Sequence, residues 1–320
     1  MQKAKGKMQK VKLQKVNKLM PIRVALVLLL FTVASLRAED ANPRDRYFLS
    51  GDGWIQLTNT KTNKSARIRY RLPDGSYPQA AHQQIDRLFG VPAASDDSIS
   101  RRLISLLDYF EDRFDQPIKI ISGYRSPQYN EGLRKRGRLA AKTSLHTEGM
   151  ATDILIPKAR AAKAFKIMRD LQCCGIGYYH GNSLHLDTGP ARFWDETSSK
   201  VKTDISSHNK RLMVRTAQDI YLPGEKVELR LARITDYPLG LASGFAIVRN
   251  GQTLKEFSFN NKSEACLPVT DPKERTTVWT IPQGFLPEGK IHIRVHFCEK
   301  PFTEMPDYVE SNPILILSPS

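Results

Sequence analysis

Cysteine is scarce and poorly spaced for a metal knuckle. The 320 residues hold four: the adjacent Cys173 and Cys174, and the distant Cys266 and Cys298. No CxxC can be made from them, which excludes a cysteine-built zinc ribbon. Long apolar runs are also missing. "VALVLLLFTVASL", from Val24 to Leu36, has 13 residues and is too short to span a bilayer comfortably. Acidic residues are absent from the first 38 positions, which contain nine Lys or Arg, so of the formal +16 only +7 belongs to the rest of the chain. No internal repeat and no aromatic–basic nucleic-acid motif is present. A remainder at +7 suits an acidic polymer such as bacterial cell wall and does not demand nucleic acid.

What is there begins with a leader. A basic stretch followed by the short apolar run reads as a secretory signal over 1–38, cut after Ala38. Met20 is an alternative start, and an uncleaved anchor is the rival reading. Without that leader the mature chain carries no stable membrane span. Export to the periplasm or beyond would place the cysteines where disulfides persist. Cys266 is then expected to bridge Cys298 within one domain. Adjacent cysteines pair only with strain, so Cys173 and Cys174 are expected to stay free and buried.

The pattern of the chain then divides. "GWIQLTNTKTNKSARIRYRLPDGSY" alternates around a polar turn and predicts a hairpin. "AHQQIDRLFG" and "SISRRLISLLDYFEDRF" have helical spacing, the latter with Ile99, Leu103, Leu106, Leu107 and Phe110 on one stripe. "PIKIIS", "MATDILI" and "SLHLDT" read as short strands. "PQYNEGLRKRG" and "KARAAKAFKIMRDLQ" read as helices, the second stopped by the Gly175–Gly177 region. This mixture predicts one α+β domain over 45–198. A polar linker follows over 199–210. From 211 to 320 helical patterns cease and short alternating strands recur, with Asn250-Gly251 as a hairpin turn. That stretch predicts an immunoglobulin- or fibronectin-like β-sandwich. His292 and His296 lie on one of its strands about 13 Å apart at the usual rise, too far to share an ion.

Chemistry concentrates in "SLHTEGMATDILI" and "HGNSLHLDTG". His146 and Asp153 are seven apart, and on a straight strand an odd spacing faces them oppositely. They converge only if the turn at Thr147–Gly149 folds His146 back over the strand. A carboxylate inside an apolar strand is costly unless it is paired, and a metal would pair it. His185 supplies a third donor, with Asp187 on the same strand face. Two His and one carboxylate is a common composition for catalytic zinc. Each residue alone is more ordinarily a satisfied structural group.

"SGYRSPQYNEGLR", "SLHTEGMATDILI" and "GIGYYHGNSLHLDTGPARFW" resemble, in order, three motifs of the murein endopeptidase K subgroup of LAS metallopeptidases. The likeness covers about 53–195. It implies the hedgehog/D-Ala-D-Ala-peptidase fold with a small antiparallel sheet, and an exported zinc peptidase that cuts peptidoglycan peptides. The implied ligands are His146, Asp153 and His185. Arg125 would bind substrate oxygens, with Ser144 and Tyr124 supporting the substrate side by hydrogen bonding. Many relatives in this superfamily carry Glu or Asp three residues before the last His, and here Asn182 stands in that place. The proton shuttle therefore stays open between Asp187, which could equally hold an imidazole, and His180, which could equally be a solvated loop residue. A D,D-carboxypeptidase and a non-catalytic wall-binding module with structural zinc are the alternative readings.

Overall fold

The computed structural model describes residues 45–137, 140–198, 206–259 and 264–318. The expected leader over 1–38, and most of the expected linker, lie outside the described residues. The hairpin pairs β1 (Trp54–Asn59) with β2 (Lys64–Arg69). Two helices follow, α1 (Gln79–Phe89) and α2 (Arg101–Phe114), and then β3 (Ile118–Ser122) and α3 (Pro127–Lys135). The α2 stripe foreseen from spacing is buried, with Leu103, Leu107 and Phe110 fully covered. Next come β4 (Ala151–Leu155), α4 (Lys158–Asp170), β5 (Gly175–Tyr178), β6 (Ser183–Asp187) and β7 (Arg192–Asp195).

These seven strands form one sheet in the order β2-β1-β3-β4-β6-β5-β7. The sheet is larger than expected and not purely antiparallel, because β1 with β3 and β5 with β7 run parallel. Apolar side chains of α1, α2 and α4 pack with its strands into a single buried cluster. Of the extra strands, β5 occupies the Gly175–Gly177 region expected to stop a helix, and β7 follows β6 and pairs with β5. Cys173 and Cys174 are likewise not free: they are joined to each other. The preceding Gln172 is left-handed (φ 52°), and of the joined pair Cys174 is buried.

Among the remaining described residues the regular elements are all strands. They comprise β8 (Met213–Thr216), β9 (Ile220–Tyr221), β10 (Lys226–Ala232), β11 (Leu239–Arg249), β12 (Gln252–Ser258), β13 (Cys266–Val269), β14 (Thr276–Thr280), β15 (His292–Glu299), β16 (Tyr308–Glu310) and β17 (Leu315–Ile316). One sheet runs β14-β10-β8. A second runs β12-β11-β15-β16, with β13 also on β11, and β9 pairs in parallel with β17 as a two-stranded sheet. Val214, Val227, Leu229 and Trp279 from the first share a buried cluster with Leu241, Phe245, Ile247, Ile293 and Val295 from the second. On β10 and at the start of β15, alternation puts every second residue there and its neighbours outward. Cys266 and Cys298 are joined at an S–S distance of 1.98 Å. The bond bridges β13 and β15 over β11, where Gly240 has no Cβ to collide with Cys266 Sγ.

The described residues form one compact unit. A third apolar cluster joins its halves: Leu145, Met150 and Ala151 pack with Met213 and Ala232. Met213 and Ala232 lie on the outward faces of β8 and β10, so this outer face covers the turn between α3 and β4. No helix of the described residues is long and apolar enough to cross a membrane.

An acidic knot ties α2 to the start of β1. Asp108 accepts from Gly53 N–H and Tyr70 O–H, Asp112 from Asp52 N–H, and Glu111 from Gln56 N–H. Burial, with repulsion from Asp112 and Asp52, pushes Asp108 up to about 6 and Glu111 up to about 7. A carboxyl raised in the fold holds its proton more tightly than in the unfolded chain. Its contribution is therefore full below about pH 4 and is lost as pH rises through 6 and 7. Asp112→Asn removes one repelling charge and keeps an acceptor for Asp52 N–H. Thermal melts should show the variant about 0.5–1 kcal/mol more stable than the parent at pH 8. The two should melt together at pH 4; a less stable variant at pH 8 would refute the repulsion.

Candidate metal centre

Cross-strand register builds the site. In the antiparallel β4/β6 pair, Asp153 stands opposite His185. The row continues to Ser122 on β3 at one side, and to Gly177 on β5 and Trp194 on β7 at the other. Residues directly opposed across strands share a face, so these five side-chain positions line one strip of sheet. A second row, two residues along and on the same face, holds Ala151, Asp187, Gly175 and Arg192. Each row has a glycine on β5, for a steric reason. A Cβ at Gly175 would lie 2.2 Å from Asp187 Oδ2, and one at Gly177 would lie 2.6 Å from Trp194 Cε2. The glycines let Arg192 reach Asp187 (2.6 Å) and let the Trp194 ring approach His185, with centroids 5.0 Å apart.

His146 arrives from above the sheet. Leu145–Glu148 form a single 3₁₀ turn, opened by Ser144, whose Oγ accepts from His146 N–H, and closed by left-handed Gly149 (φ 65°). Any side chain at Gly149 would meet Ser98 O at 2.2 Å. The turn thus folds His146 back over β4, and its backbone carbonyl accepts from Arg125 N–H.

The donor atoms of His146, Asp153 and His185 lie within 4.8 Å of one another. His146 Nδ1 donates to Gly123 O (2.8 Å), which leaves Nε2 facing Asp153 Oδ2 at 3.5 Å. His185 Nε2 pairs with Asp187 Oδ2 (2.9 Å), which leaves Nδ1 facing Asp153 Oδ1 at 3.0 Å. Two ligands of a tetrahedral zinc, each about 2.0–2.2 Å from it, lie roughly 3.3–3.6 Å apart. The spacing and the two-nitrogen, one-oxygen donor set therefore fit zinc.

Electrostatics favour the same use. Burial holds the His146 imidazole below its ordinary value, hence neutral near pH 7 with a lone pair to offer. Burial would raise Asp153, but the neighbouring imidazoles outweigh it and keep the carboxyl well below the usual range. Burial would lower His185, yet hydrogen bonds to Asp153 and Asp187 outweigh it and raise that imidazole. A cation at its Nδ1 would therefore compete with a proton.

The other expected residues fall into distinct places. Arg125 reaches the site: its Nη2 donates to Asp153 Oδ2 (2.8 Å) and its Nε to Ser122 Oγ (2.9 Å). Ser144 supports the His146 turn. Tyr124 O–H donates to Asp97 Oδ2 (2.5 Å), a contact outside the triad. Asp187 lies on the far edge of the His185 ring from Asp153. It is fully buried and also accepts from Gly189 N–H and Arg192. His180 is half exposed, beside Asp195 (3.4 Å) and against the Tyr178 ring. Glu148 turns from the triad toward Arg230 and Arg275. Sequence reasoning passed over Trp194 and also Tyr179, whose hydroxyl is raised by burial and then by the Asp153 charge. The Gly175-x-Gly177 pattern was the available signal for a close approach there.

Residues 50–194 match the family model described as peptidoglycan L,D-endopeptidase MepK. The Escherichia coli K12 protein of that name is 44% identical over 80 residues, which are 25% of this chain and 44% of that protein. A Haemophilus influenzae protein named as a probable member is 40% identical over 78 residues, 24% of this chain and 42% of its own length. The chain thus spans less than half the length of these curated relatives. Among solved structures, Spo0M, a sporulation control protein from Bacillus subtilis, matches 33% of this chain and 48% of its own. Its TM-score of 0.20 and identity of 10% are too low to bear on the fold. The motif order, the converging triad and the match together place residues 50–194 in the LAS-type metallopeptidase family, murein endopeptidase K subgroup.

Proposed function

We propose that this protein is an exported, zinc-dependent peptidoglycan peptidase that cleaves peptide cross-links. The observation that carries the reading is the convergence of His146, Asp153 and His185 from a turn and two strands. The relatives' name, L,D-endopeptidase, favours that bond class over carboxypeptidase trimming. In this reading 1–38 is the leader, 45–198 the peptidase domain, 199–210 the linker, and 211–320 an immunoglobulin-like sandwich.

Zinc held by the triad would supply an activated water nucleophile and polarise the scissile carbonyl. The chain's own groups do the rest. Gly123 O and Asp187 fix the tautomers of the two imidazoles, so each presents its lone pair inward. Arg125, tethered by Ser122, stands beside the triad with a guanidinium able to bind a developing oxyanion. Asp187 acts as a positioning residue, since its oxygens are engaged by His185, Arg192 and Gly189. Of the remaining candidates, half-exposed His180, paired with Asp195, is the one left to pass a proton to the leaving amine.

Intact sacculi and purified muropeptides, incubated with the protein and resolved by mass, test this directly. Cleaved cross-links are expected with zinc, and none after chelation, with activity restored by added zinc. Unchanged muropeptides in zinc-replete buffer would instead favour a wall-binding module.

A further inference from the structure

Between the seven-stranded half and the outer face of β8 lies a cavity of about 370 Å³. Its walls include Tyr47, Leu106, Leu171, the joined Cys173–Cys174 pair and Thr188 from one side, and Arg215 and Asn312 from the other. That volume sits at the small end of the roughly 300–1,000 Å³ typical of ligand pockets. The cavity is distinct from the metal centre: among its lining residues none belongs to the triad.

Arg215 is the anomaly. On β8, Val214 points into the core of the strand-rich half, so Arg215 shares the opposite face with Met213 and is driven toward the cavity. Its Nε and Nη2 are sealed from solvent and have no hydrogen-bond partner. The nearby acids are committed. Asp219 pairs with Arg102 and accepts from Phe48 N–H and Asn312. Asp187 pairs with Arg192, His185 and Gly189 N–H. Arg102 and Lys290 also line the cavity, so its wall carries three cations against the single carboxylate of Asp219. Burial, reinforced by Arg102, pushes the Arg215 guanidinium down to about 9, a measure of how poorly its charge is compensated.

We propose that this cavity binds a small organic anion, its carboxylate or phosphate head on Arg215 and its apolar body against Leu106, Leu171 and Tyr47. A guanidinium fork matches either oxyanion in two parallel hydrogen bonds. The inference does not depend on the peptidase reading.

The test is calorimetric titration of the full chain with three probes: inorganic phosphate, phenyl phosphate and 3-phenylpropionate. Sodium chloride at equal ionic strength is the control, and the three probes separate the two head groups and the role of the apolar body. Saturable one-to-one binding is expected for at least one of the aromatic anions. Arg215→Met should weaken it about tenfold to a hundredfold, the worth of a charge-assisted hydrogen bond. The same variant should melt no lower than the parent in chloride alone, because an uncompensated buried charge has been removed. Leu171→Trp, at the 41% exposed lip, should block binding without touching a charge, and it decides the matter if Arg215→Met fails to fold. Absence of saturable binding at millimolar probe, or binding undiminished in the variants, would overturn the proposal.

Discussion

Asp153→Asn is expected to leave the protein with substoichiometric zinc and no measurable cross-link cleavage. Asp153 is the central member of the triad: one oxygen faces each imidazole, and Arg125 also donates to it. The amide keeps one acceptor but loses the charge, so it offers a cation only a neutral oxygen and Arg125 no counter-charge. Two losses follow. The metal loses its anionic ligand, and a guanidinium only 12% exposed loses its partner, which costs about 3–5 kcal/mol in a buried pair before relaxation. Asp187→Asn provides the graded comparison. It leaves all three ligands in place and changes the far partner of His185, along with the counter-charge of Arg192; for such a partner, losses of about 10–100-fold in metal affinity are typical. Metal content after dialysis against a zinc buffer, read by elemental analysis, should rank parent, Asp187→Asn and Asp153→Asn in falling order. Full zinc occupancy in Asp153→Asn would remove it from the ligand set and the mechanism with it.

The same comparison shows what was legible beforehand. The hairpin, α2 and the strands carrying Asp153 and His185 were readable because their periodicity is local. The fold-back of His146 was inferable from Gly149, since only a reversal brings an odd-spaced pair together. The role of Asp187 was not decidable from spacing: as base or as ring holder it needs the same strand face. The choice turns on which imidazole nitrogen it meets, and that depends on the β4/β6 register. β5 was missed because its glycines resemble a helix stop, although they serve to admit Arg192 and Trp194. Cys173 and Cys174 were expected free on the cost of an adjacent pair alone, and the structure joins them. Contacts between the two halves were illegible altogether, because nothing local marks an arginine on a distant strand as the partner of a glutamate in a turn.

One such contact carries a large expected effect. Glu148 ends the turn that begins with the His146 segment, and it is 12% exposed. Its Oε2 accepts from Arg275 Nη1 at 2.7 Å and from Arg230 Nη2 at 3.2 Å. Leu145 and Met150, at the ends of the same turn, pack on Met213 and Ala232. The strand-rich half therefore grips the metal-site turn at its tip and at both ends. Glu148→Gln removes the anion and leaves two arginines facing each other. Discounting for the partial exposure of Arg230 (39%), we expect a loss of roughly 2–4 kcal/mol in stability. Because His146 is held by this turn, zinc affinity should fall as well, by about tenfold, the lower range for outer partners of a ligand. Stability and affinity separate the two contributions. The triple change Glu148→Gln, Arg230→Met, Arg275→Met removes the exposed repulsion, so it should regain most of the melting temperature. Affinity should recover with it only if apolar contacts at Leu145 and Met150 suffice to seat the turn. Unchanged zinc affinity in Glu148→Gln, despite the lower melting temperature, would show that the strand-rich half braces the fold without setting His146.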